Sequence, residues 1–316
     1  MRDVRSLPKA HLHVHLESTV RPETARELGG SREPENGFRT FREFGDARAR
    51  VRELLRTAEH FRRIAVEFCE DEAAQGTRYV EVTFTAASHG ERLGAPEMPL
   101  EAVLEGLTEG GARYGIEWRV LLDHSRRRPV ERMWRTLKLA TRYDAVIGLG
   151  LAGDEAHPLA PFAEVCDAAR DAGLRLTHHA GEAAGAASIR EALDVGHAER
   201  LGHGIRVIDD DTLVAEVRER GIPLEVCPTS NVLLGFVPSF AAHPLPRLRA
   251  AGLAVTVNTD GETALADEYA RLRDVFGYDD RDLADLALSS IEASFAPEAL
   301  KSRLRTEVEA WLEPSP

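Results

Sequence analysis

The sequence predicts an α/β fold, a (β/α)8 TIM-type barrel with extra C-terminal helices, and three observations favour it. The chain has 316 residues, which is enough for one closed barrel of about 250 residues and more. Short apolar runs alternate with helical patterns eight times along it. Histidines and carboxylates follow several of these runs. We therefore expect a single domain over residues 1–316.

Eight short runs are predicted to be parallel strands. Several are rich in β-branched residues, as strands buried on both faces are. The fourth and sixth are rich in glycine, and their place in the alternation is the main reason for including them. The predicted strands span 10–16, 78–84, 116–122, 145–151, 174–179, 200–205, 223–227 and 253–258.

The longest segment between predicted strands has apolar residues at helical spacing. We expect one helix over 47–75 that ends near Gly76. After the last strand, 263–313 continues the helical pattern, with breaks expected at Asp279–Asp280 and at Pro297. These helices lie beyond the eight units that a barrel requires.

Composition argues against several classes of protein. The formal net charge is −13, so a nucleic-acid backbone is not an expected partner. The three cysteines are scattered, which argues against a disulfide framework and a thiolate metal site. The N-terminus lacks the apolar segment of a signal peptide, and no apolar run approaches the ~20 residues that span a membrane. We expect a cytoplasmic protein with a small-molecule substrate and no membrane partner, and homo-oligomers are compatible with the sequence.

Three histidines and an aspartate are candidate metal ligands. His13 and His15 are two residues apart on a predicted strand, so their side chains share one face. His179 and Asp260 end or follow other predicted strands, and barrel active sites lie at the carboxyl ends of strands. Three imidazoles and a carboxylate suit one Zn²⁺ or a similar divalent ion.

Each candidate also has an ordinary structural interpretation. A single buried histidine is usually a hydrogen-bonded core residue, and we assign that role to His11 and His178. Asp260 could cap the following helix, and Glu182 could be a first-turn residue favoured by the helix dipole. Their joint position at predicted strand ends favours a site, in which His203 and Glu182 remain for proton transfer.

Other kinds of site fit less well. Barrel hydrolases with two metals often use a bridging modified lysine near the fourth strand, and 148–155 contains no lysine. Cys227–Pro228 lacks the second cysteine of the other zinc deaminase signature. The sequence has no dinucleotide fingerprint, P-loop or nucleophile elbow. One metal is therefore expected.

Six segments, in order, resemble the motifs of the adenosine deaminase family. The resemblance extends from Leu7 to beyond Ala293-Ser294-Phe295, and the ordered set is far more specific than any single piece. It implies a barrel amidohydrolase with one zinc ion that deaminates an adenine-type purine. The segments are Leu12–Leu16, Leu151–Glu155, His179–Glu182, Gly202–Gly204, Leu224–Pro228 and Asn258–Asp260.

The resemblance also implies roles for individual residues. Glu182 would protonate the purine N1 while zinc-activated water attacks C6, and His203 would support the attacking water. Asp260 would bind metal and carry the water's proton to the departing ammonia. The implied metal ligands are His13, His15, His179 and Asp260.

Three residues are candidates for contact with the substrate, and the resemblance implies two of them, Gly153 and Glu17. Gly153 would offer its backbone N–H to the purine N3. Gly181, just before Glu182, would permit close approach of the substrate. Glu17 lies where the family places an acidic residue near the ribose.

The sequence departs from the family around the substrate. Gly261, followed by Glu262, stands where the family has a second aspartate that contacts the purine N7, and Glu17-Ser18 replaces Asp-Gly. The segment 17–46 is short for the family and is expected to form part of a lid. Its candidate apolar contacts are Phe38, Phe41 and Phe44.

These departures leave several functions open. The substrate could be adenosine, a modified adenine nucleoside or a free base. A related barrel hydrolase could act on a non-purine aminated heterocycle or displace a substituted amine. A non-catalytic barrel is disfavoured because the full set of candidate ligands and proton carriers is present.

Overall fold

The computed structural model describes residues 1–30 and 41–313 of the chain. Phe38 and the side chains of Phe41 and Phe44, the candidate lid contacts, lie outside the described part. In the described ranges, no helix is long and apolar enough to cross a membrane.

Eight parallel strands form one sheet in which each strand pairs with the next along the chain. All eight predicted strands are confirmed, although the sixth, seventh and eighth are shorter than expected. The strands are β1 (Lys9–His15), β2 (Thr77–Phe84), β3 (Glu117–Ser125), β4 (Val146–Ala152), β5 (Arg175–Ala180), β6 (Arg200–His203), β7 (Leu224–Val226) and β8 (Val255–Val257).

The barrel closes where the chain just after β8 meets β1. Val14 and Asp260 form a parallel bridge. The Asn258 side-chain oxygen accepts the backbone N–H groups of Leu12 and His13 at 2.8 and 3.0 Å. The closing contact therefore joins two segments that carry candidate metal ligands.

Helices surround the sheet and cover the outer faces of its strands. Within the described ranges, the N-terminal half contains α1 (Pro22–Glu27), α2 (Phe41–Leu54), α3 (Ala58–Ala74), α4 (Ala86–Leu93), α5 (Met98–Tyr114), α6 (Val130–Ala140) and α7 (Ala163–Asp171). The C-terminal half contains α8 (Ala186–Asp194), α9 (Asp211–Glu219), α10 (Pro228–Leu233), α11 (Leu245–Ala250), α12 (Leu265–Phe276), α13 (Asp280–Ala293) and α14 (Glu298–Leu312).

The expected single helix over 47–75 is wrong, because the structure has two helices there. The chain leaves the helical conformation after Leu54 and resumes it at Ala58. The Thr57 side chain accepts the His60 backbone N–H at 3.4 Å and caps the second helix. A threonine that caps competes with continuation of the helix, which the apolar spacing did not reveal.

The C-terminal helices agree with the expectation. Asp279 and Asp282 form a reciprocal capping box that starts α13. Pro297 precedes α14, as its missing N–H and fixed backbone angle favour. The breaks therefore fall at the positions that the sequence indicated.

Candidate metal centre and active site

Four predicted site residues place their polar atoms around one point at the carboxyl end of the barrel. His179 Nε2 lies 3.1 Å from His13 Nε2 and 3.3 Å from His15 Nε2. Asp260 Oδ1 lies 3.4 Å from His15 Nε2 and 3.7 Å from His13 Nε2. Tetrahedral ligands at about 2.0–2.1 Å from a zinc ion are about 3.3 Å from one another. The four atoms therefore fit a single ion of this kind.

The backbone is strained at two of the residues that face this point. Asp260 and His203 have φ values of 61° and 62°, in the left-handed region that non-glycine residues seldom adopt. The Asp260 N–H donates to the His13 carbonyl at 3.1 Å, and Ser230 Oγ donates to Asp260 Oδ2 at 2.8 Å. These bonds hold the carboxylate with Oδ1 directed at the histidines.

A buried chain of charges orients His13. Glu225 Oε2 lies 2.8 Å from His13 Nδ1, and Glu225 Oε1 accepts Arg200 Nε at 2.6 Å. Burial alone would raise the pKa of Glu225, but the Arg200 charge and the His13 hydrogen bond lower it to about 2. The ionised carboxylate accepts the Nδ1 proton and leaves the Nε2 lone pair for a metal. Glu81 and the Phe295 ring complete the surroundings of the Arg200 guanidinium.

Hydrogen bonds around His203 assign the position of its proton. The Leu245 backbone N–H donates to His243 Nδ1 at 3.1 Å, so neutral His243 carries its proton on Nε2. That nitrogen donates to Asn231 Oδ1 at 3.1 Å, which fixes the orientation of the amide. Asn231 Nδ2 then donates to His203 Nδ1 at 3.2 Å. His203 must therefore carry its proton on Nε2.

The proton on His203 Nε2 determines what this residue can do. The ligand atoms of His13, His179, His203 and Asp260 all lie within 4.8 Å of one another, so His203 is also near enough to be a ligand. Burial and the charge of His13 lower the pKa of His203 to about 3, so the ring is neutral. A protonated nitrogen cannot coordinate, and Nε2 has no hydrogen-bond partner within the described residues. The geometry therefore favours His15 as the fourth ligand and His203 as a hydrogen-bond donor into the site.

Glu155 organises the turn after β5. Its carboxylate accepts the backbone N–H groups of Gly181, Glu182 and Ala183 at 2.8, 2.8 and 2.9 Å. It also accepts Ser188 Oγ at 2.5 Å. Glu155 belongs to the fourth-strand motif recognised in the sequence, but its role was not foreseen there. A charged residue three positions after the end of an apolar strand was the available signal.

Glu182 is a buried carboxyl group beside the candidate metal ligands. Burial is the main cause that raises its pKa well above the ordinary value, and the charges of Asp260 and Glu155 add to this effect. Asn231 Nδ2 donates to Glu182 Oε1 at 3.0 Å. This shift favours the protonated form of Glu182, which is the form that can donate a proton.

A cavity of about 480 Å³ opens next to the cluster. Glu17, Gly153 and Glu182 line it, together with the His15, His179 and Asp260 side of the cluster. Gly181 does not line it. The Gly181 N–H is bonded to Glu155, and a Cβ at this position would lie 2.6 Å from Ile189. Gly181 therefore shapes the turn and does not border the space for a substrate.

The Glu17 carboxylate contacts the residue just after β2 and a histidine on α4. Its Oε1 accepts the Thr85 backbone N–H at 3.2 Å and lies 3.0 Å from His89 Nε2. Burial would raise the pKa of Glu17, but His89 lowers it below the ordinary value. One oxygen of this carboxylate is thus already bonded within the protein.

The departures from the family motifs lie against one another. Gly261 has φ 94°, and a Cβ there would lie 2.4 Å from the Ser18 Cβ. The next residue, Glu262, pairs with Arg48 of α2. Ser18 therefore fills the space into which a side chain at position 261 would extend, and the Glu262 carboxylate is engaged with Arg48.

Comparison with known proteins agrees with this geometry. The family model for adenosine deaminase matches residues 8–311. The chain belongs to the adenosine deaminase family. Members of this family are hydrolytic deaminases, and the barrel described above is their fold.

Three solved structures of similar proteins cover nearly the whole chain. An adenine deaminase from Arthrobacter aurescens is 32% identical, with a TM-score of 0.91 over 97% of this chain and 99% of that one. A zinc-bound amidohydrolase from Burkholderia ambifaria is 26% identical, with a TM-score of 0.85 over 98% and 92%. The Arabidopsis protein ADAL in complex with GMP is 28% identical, with a TM-score of 0.86 over 98% and 98%.

Proposed function

We propose that this chain is a zinc-dependent deaminase that hydrolyses the 6-amino group of an adenine-type purine and releases ammonia. The observation that carries the proposal is a group of four candidate ligand atoms, with neighbouring atoms 3.1–3.7 Å apart, beside the buried Glu182 carboxyl, whose pKa is raised. His13, His15, His179 and Asp260 would hold the ion. The zinc bound by the similar amidohydrolase supports the choice of metal.

The proposed mechanism assigns the proton transfers to two side chains and the orientation of the water to a third. A bound divalent ion lowers the pKa of water toward neutrality and so supplies a nucleophile. The His203 Nε2–H orients the attacking water toward C6, and Asp260 accepts its proton. Attack at C6 places negative charge on the ring, which Glu182 neutralises by protonating N1. Asp260 then passes that proton to the departing ammonia, and the proton of the C6 hydroxyl returns to the Glu182 carboxylate as the C6 carbonyl forms.

The rest of the substrate would occupy the cavity beside these groups. Gly153 borders this space, and its φ of 90° is accessible without strain only to glycine. In this proposal its backbone N–H serves the purine N3. Glu17 lies on the same cavity, with one oxygen held by Thr85 and His89.

A second candidate follows from the absence of a side chain at Gly261. With Ser18 against this position, no side chain from residue 261 reaches the ring, so recognition of N7 lacks its usual contact. A related heterocycle with an exocyclic amine, or displacement of a substituted amine, is the alternative that this observation favours.

Metal analysis combined with an ammonia-release screen tests the proposal. The screen includes adenine, adenosine, deoxyadenosine, an N6-methylated adenosine and an aminated pterin. We expect bound metal, ammonia from an adenine-type purine, loss of activity with a chelator and recovery with Zn²⁺. Ammonia from the pterin alone, or methylamine as the preferred product, would favour the second candidate. No amine released from any of these compounds by the zinc-loaded protein contradicts both.

A further inference from the structure

Three arginines stand at the mouth of the cavity that reaches the metal cluster. Arg52 lies on α2 and is half-buried, whereas Arg127 and Arg128 follow β3 and are exposed. Within residues 1–30 and 41–313, none of the three guanidinium groups has a hydrogen bond or an ion pair. We call these three residues the arginine rim.

The lack of partners at the rim does not come from a shortage of carboxylates. The chain has 53 acidic and 40 basic residues, and arginines elsewhere on its surface are commonly paired. Arg21 meets Asp71 at 2.7 Å, for example. Close to the rim, Arg92 and Arg132 pair with Glu53 and Glu91.

The charges near the rim favour an anion there. Burial, and then the positive charges of Arg132 and Arg52, lower the pKa of Arg128. These like charges repel one another, and a bound anion would relieve the repulsion. The nearby carboxylates Glu17 and Asp123 are buried deeper in the cavity. Both carboxylates interact electrostatically with Arg52, whereas the exposed guanidinium groups of Arg127 and Arg128 have no ion pair in the described chain.

We propose that the arginine rim binds an anionic substituent of the substrate, of the phosphate-ester class, so that the preferred substrate is a purine nucleotide. The inference rests on the proposed function, because placing C6 at the metal directs a substituent on N9 away from the cluster and toward the mouth. Arginine binds phosphate oxygens through paired N–H groups. The reaction converts adenosine 5′-monophosphate and water into inosine 5′-monophosphate and ammonia.

Two further observations agree with a nucleotide. The cavity volume of about 480 Å³ lies in the ~300–1,000 Å³ range of pockets that bury drug-sized ligands. Asp123, at the end of β3, is buried and lines the same cavity, and its Oδ1 has no hydrogen-bond partner in the described chain. A sugar hydroxyl between the base and the phosphate would satisfy this oxygen.

The test compares adenosine 5′-monophosphate with adenosine on the zinc-loaded enzyme. We expect kcat/KM to be at least about tenfold higher for the nucleotide, because charge-assisted hydrogen bonds are the strong ones. Arg128→Ala and Arg52→Ala should move the nucleotide-to-nucleoside ratio toward one, and so should raised ionic strength. Arg135→Ala is the matched control, since Arg135 is exposed, pairs with Glu91 and does not line this cavity.

Equilibrium titration with the same two compounds separates this inference from the proposed function. Tighter binding of the nucleotide that is lost in Arg128→Ala supports the rim even if no ammonia is released, a result that contradicts the proposed function alone. Equal kcat/KM and equal affinity for the two compounds, or a ratio that survives in Arg52→Ala/Arg128→Ala, overturns the inference. Because Arg128 is exposed, its variant provides the test even if Arg52→Ala fails to fold.

Discussion

The floor of the cavity, where the candidate metal ligands lie, and its mouth, where the arginine rim lies, differ in their internal hydrogen bonding. Polar groups at the floor have partners within the protein, whereas those at the mouth have none among the described residues. At the floor, His13 is oriented by Glu225, and His203 by Asn231. At the mouth, the guanidinium groups of Arg52 and Arg128 have no partner in the described chain. The floor is therefore preorganised before a substrate arrives, as electrostatic catalysis requires. The mouth offers interactions that a substrate must complete, and these determine which substrate is chosen.

The largest expected effect comes from the proton donor of the floor. Glu182→Gln keeps the oxygen that accepts from Asn231 but removes the acidic proton. We expect kcat to fall by about 10²–10⁴-fold, the usual contribution of a general acid, while the metal content stays unchanged. Steady-state kinetics and metal analysis measure the two quantities. Glu164→Gln, at an exposed position on α7, is the control, and near-normal turnover in Glu182→Gln would remove its assigned role.

Low pH should destabilise the folded protein through protonation of His243, which holds Asn231 at the floor of the cavity. Burial lowers its folded-state pKa from 6.5 to about 4, so the unfolded chain binds the extra proton between these pH values. The free energy of unfolding should therefore fall by about 3 kcal/mol as the pH decreases from 6.5 to 4. Urea titrations of the protein and of His243→Gln, which retains a donor for Asn231, isolate this contribution. Identical pH dependence in the two proteins would show that His243 does not titrate as described.

The buried ion pair of Glu225 and Arg200, which contacts His13, should affect metal affinity. Glu225→Gln removes the negative charge between Arg200 and His13, so His13 loses the partner that fixes its Nδ1 proton. We expect zinc affinity to fall by about 10–100-fold. Competition with a chelator measures it, and a thermal melt verifies that the variant is folded. Glu219→Gln on the exposed side of α9 should leave the affinity unchanged. Unchanged affinity in Glu225→Gln would reduce Glu225 to a structural role.

The smallest expected effect lies between the floor and the mouth, where Gly261 meets Ser18. Gly261→Ala should lower the free energy of unfolding by about 1–3 kcal/mol, because of its positive φ and the contact with the Ser18 Cβ. Gly277→Ala is a matched control, since Gly277 has φ 71° but nothing within 4 Å of an added Cβ. Chemical denaturation should show a larger loss for Gly261→Ala, partly restored by Ser18→Gly. Equal losses in the two alanine variants would exclude the contact.

The pattern of the sequence was sufficient for the barrel, because alternating strands and helices have few ways to close. Because the active sites of such barrels lie at the carboxyl ends of the strands, the same pattern predicted that His13, His179 and Asp260 lie together at that end. The break at Thr57 was missed because a capping side chain competes locally with an apolar pattern that continues on both sides.

The supporting network could not be predicted because its partners are distant in the chain. Glu225 and Arg200 lie on different strands, and Asn231 reaches His243 across a loop. A glutamate within the apolar strand β7 was a signal that a buried cation must lie nearby, but spacing alone does not identify the partner. The sequence also could not show that Gly181 faces away from the cavity, since this depends on where Ile189 packs.

The closing contact of the barrel has a consequence for biosynthesis. His13 is made long before Asp260, which follows the last strand and whose N–H donates to the His13 carbonyl. Contacts between such distant segments form late, after the intervening chain is in place. A growing chain on the ribosome thus cannot offer the complete set of ligands. Metal capture would then mark chains that have finished folding, and the captured ion would slow the reopening of the barrel.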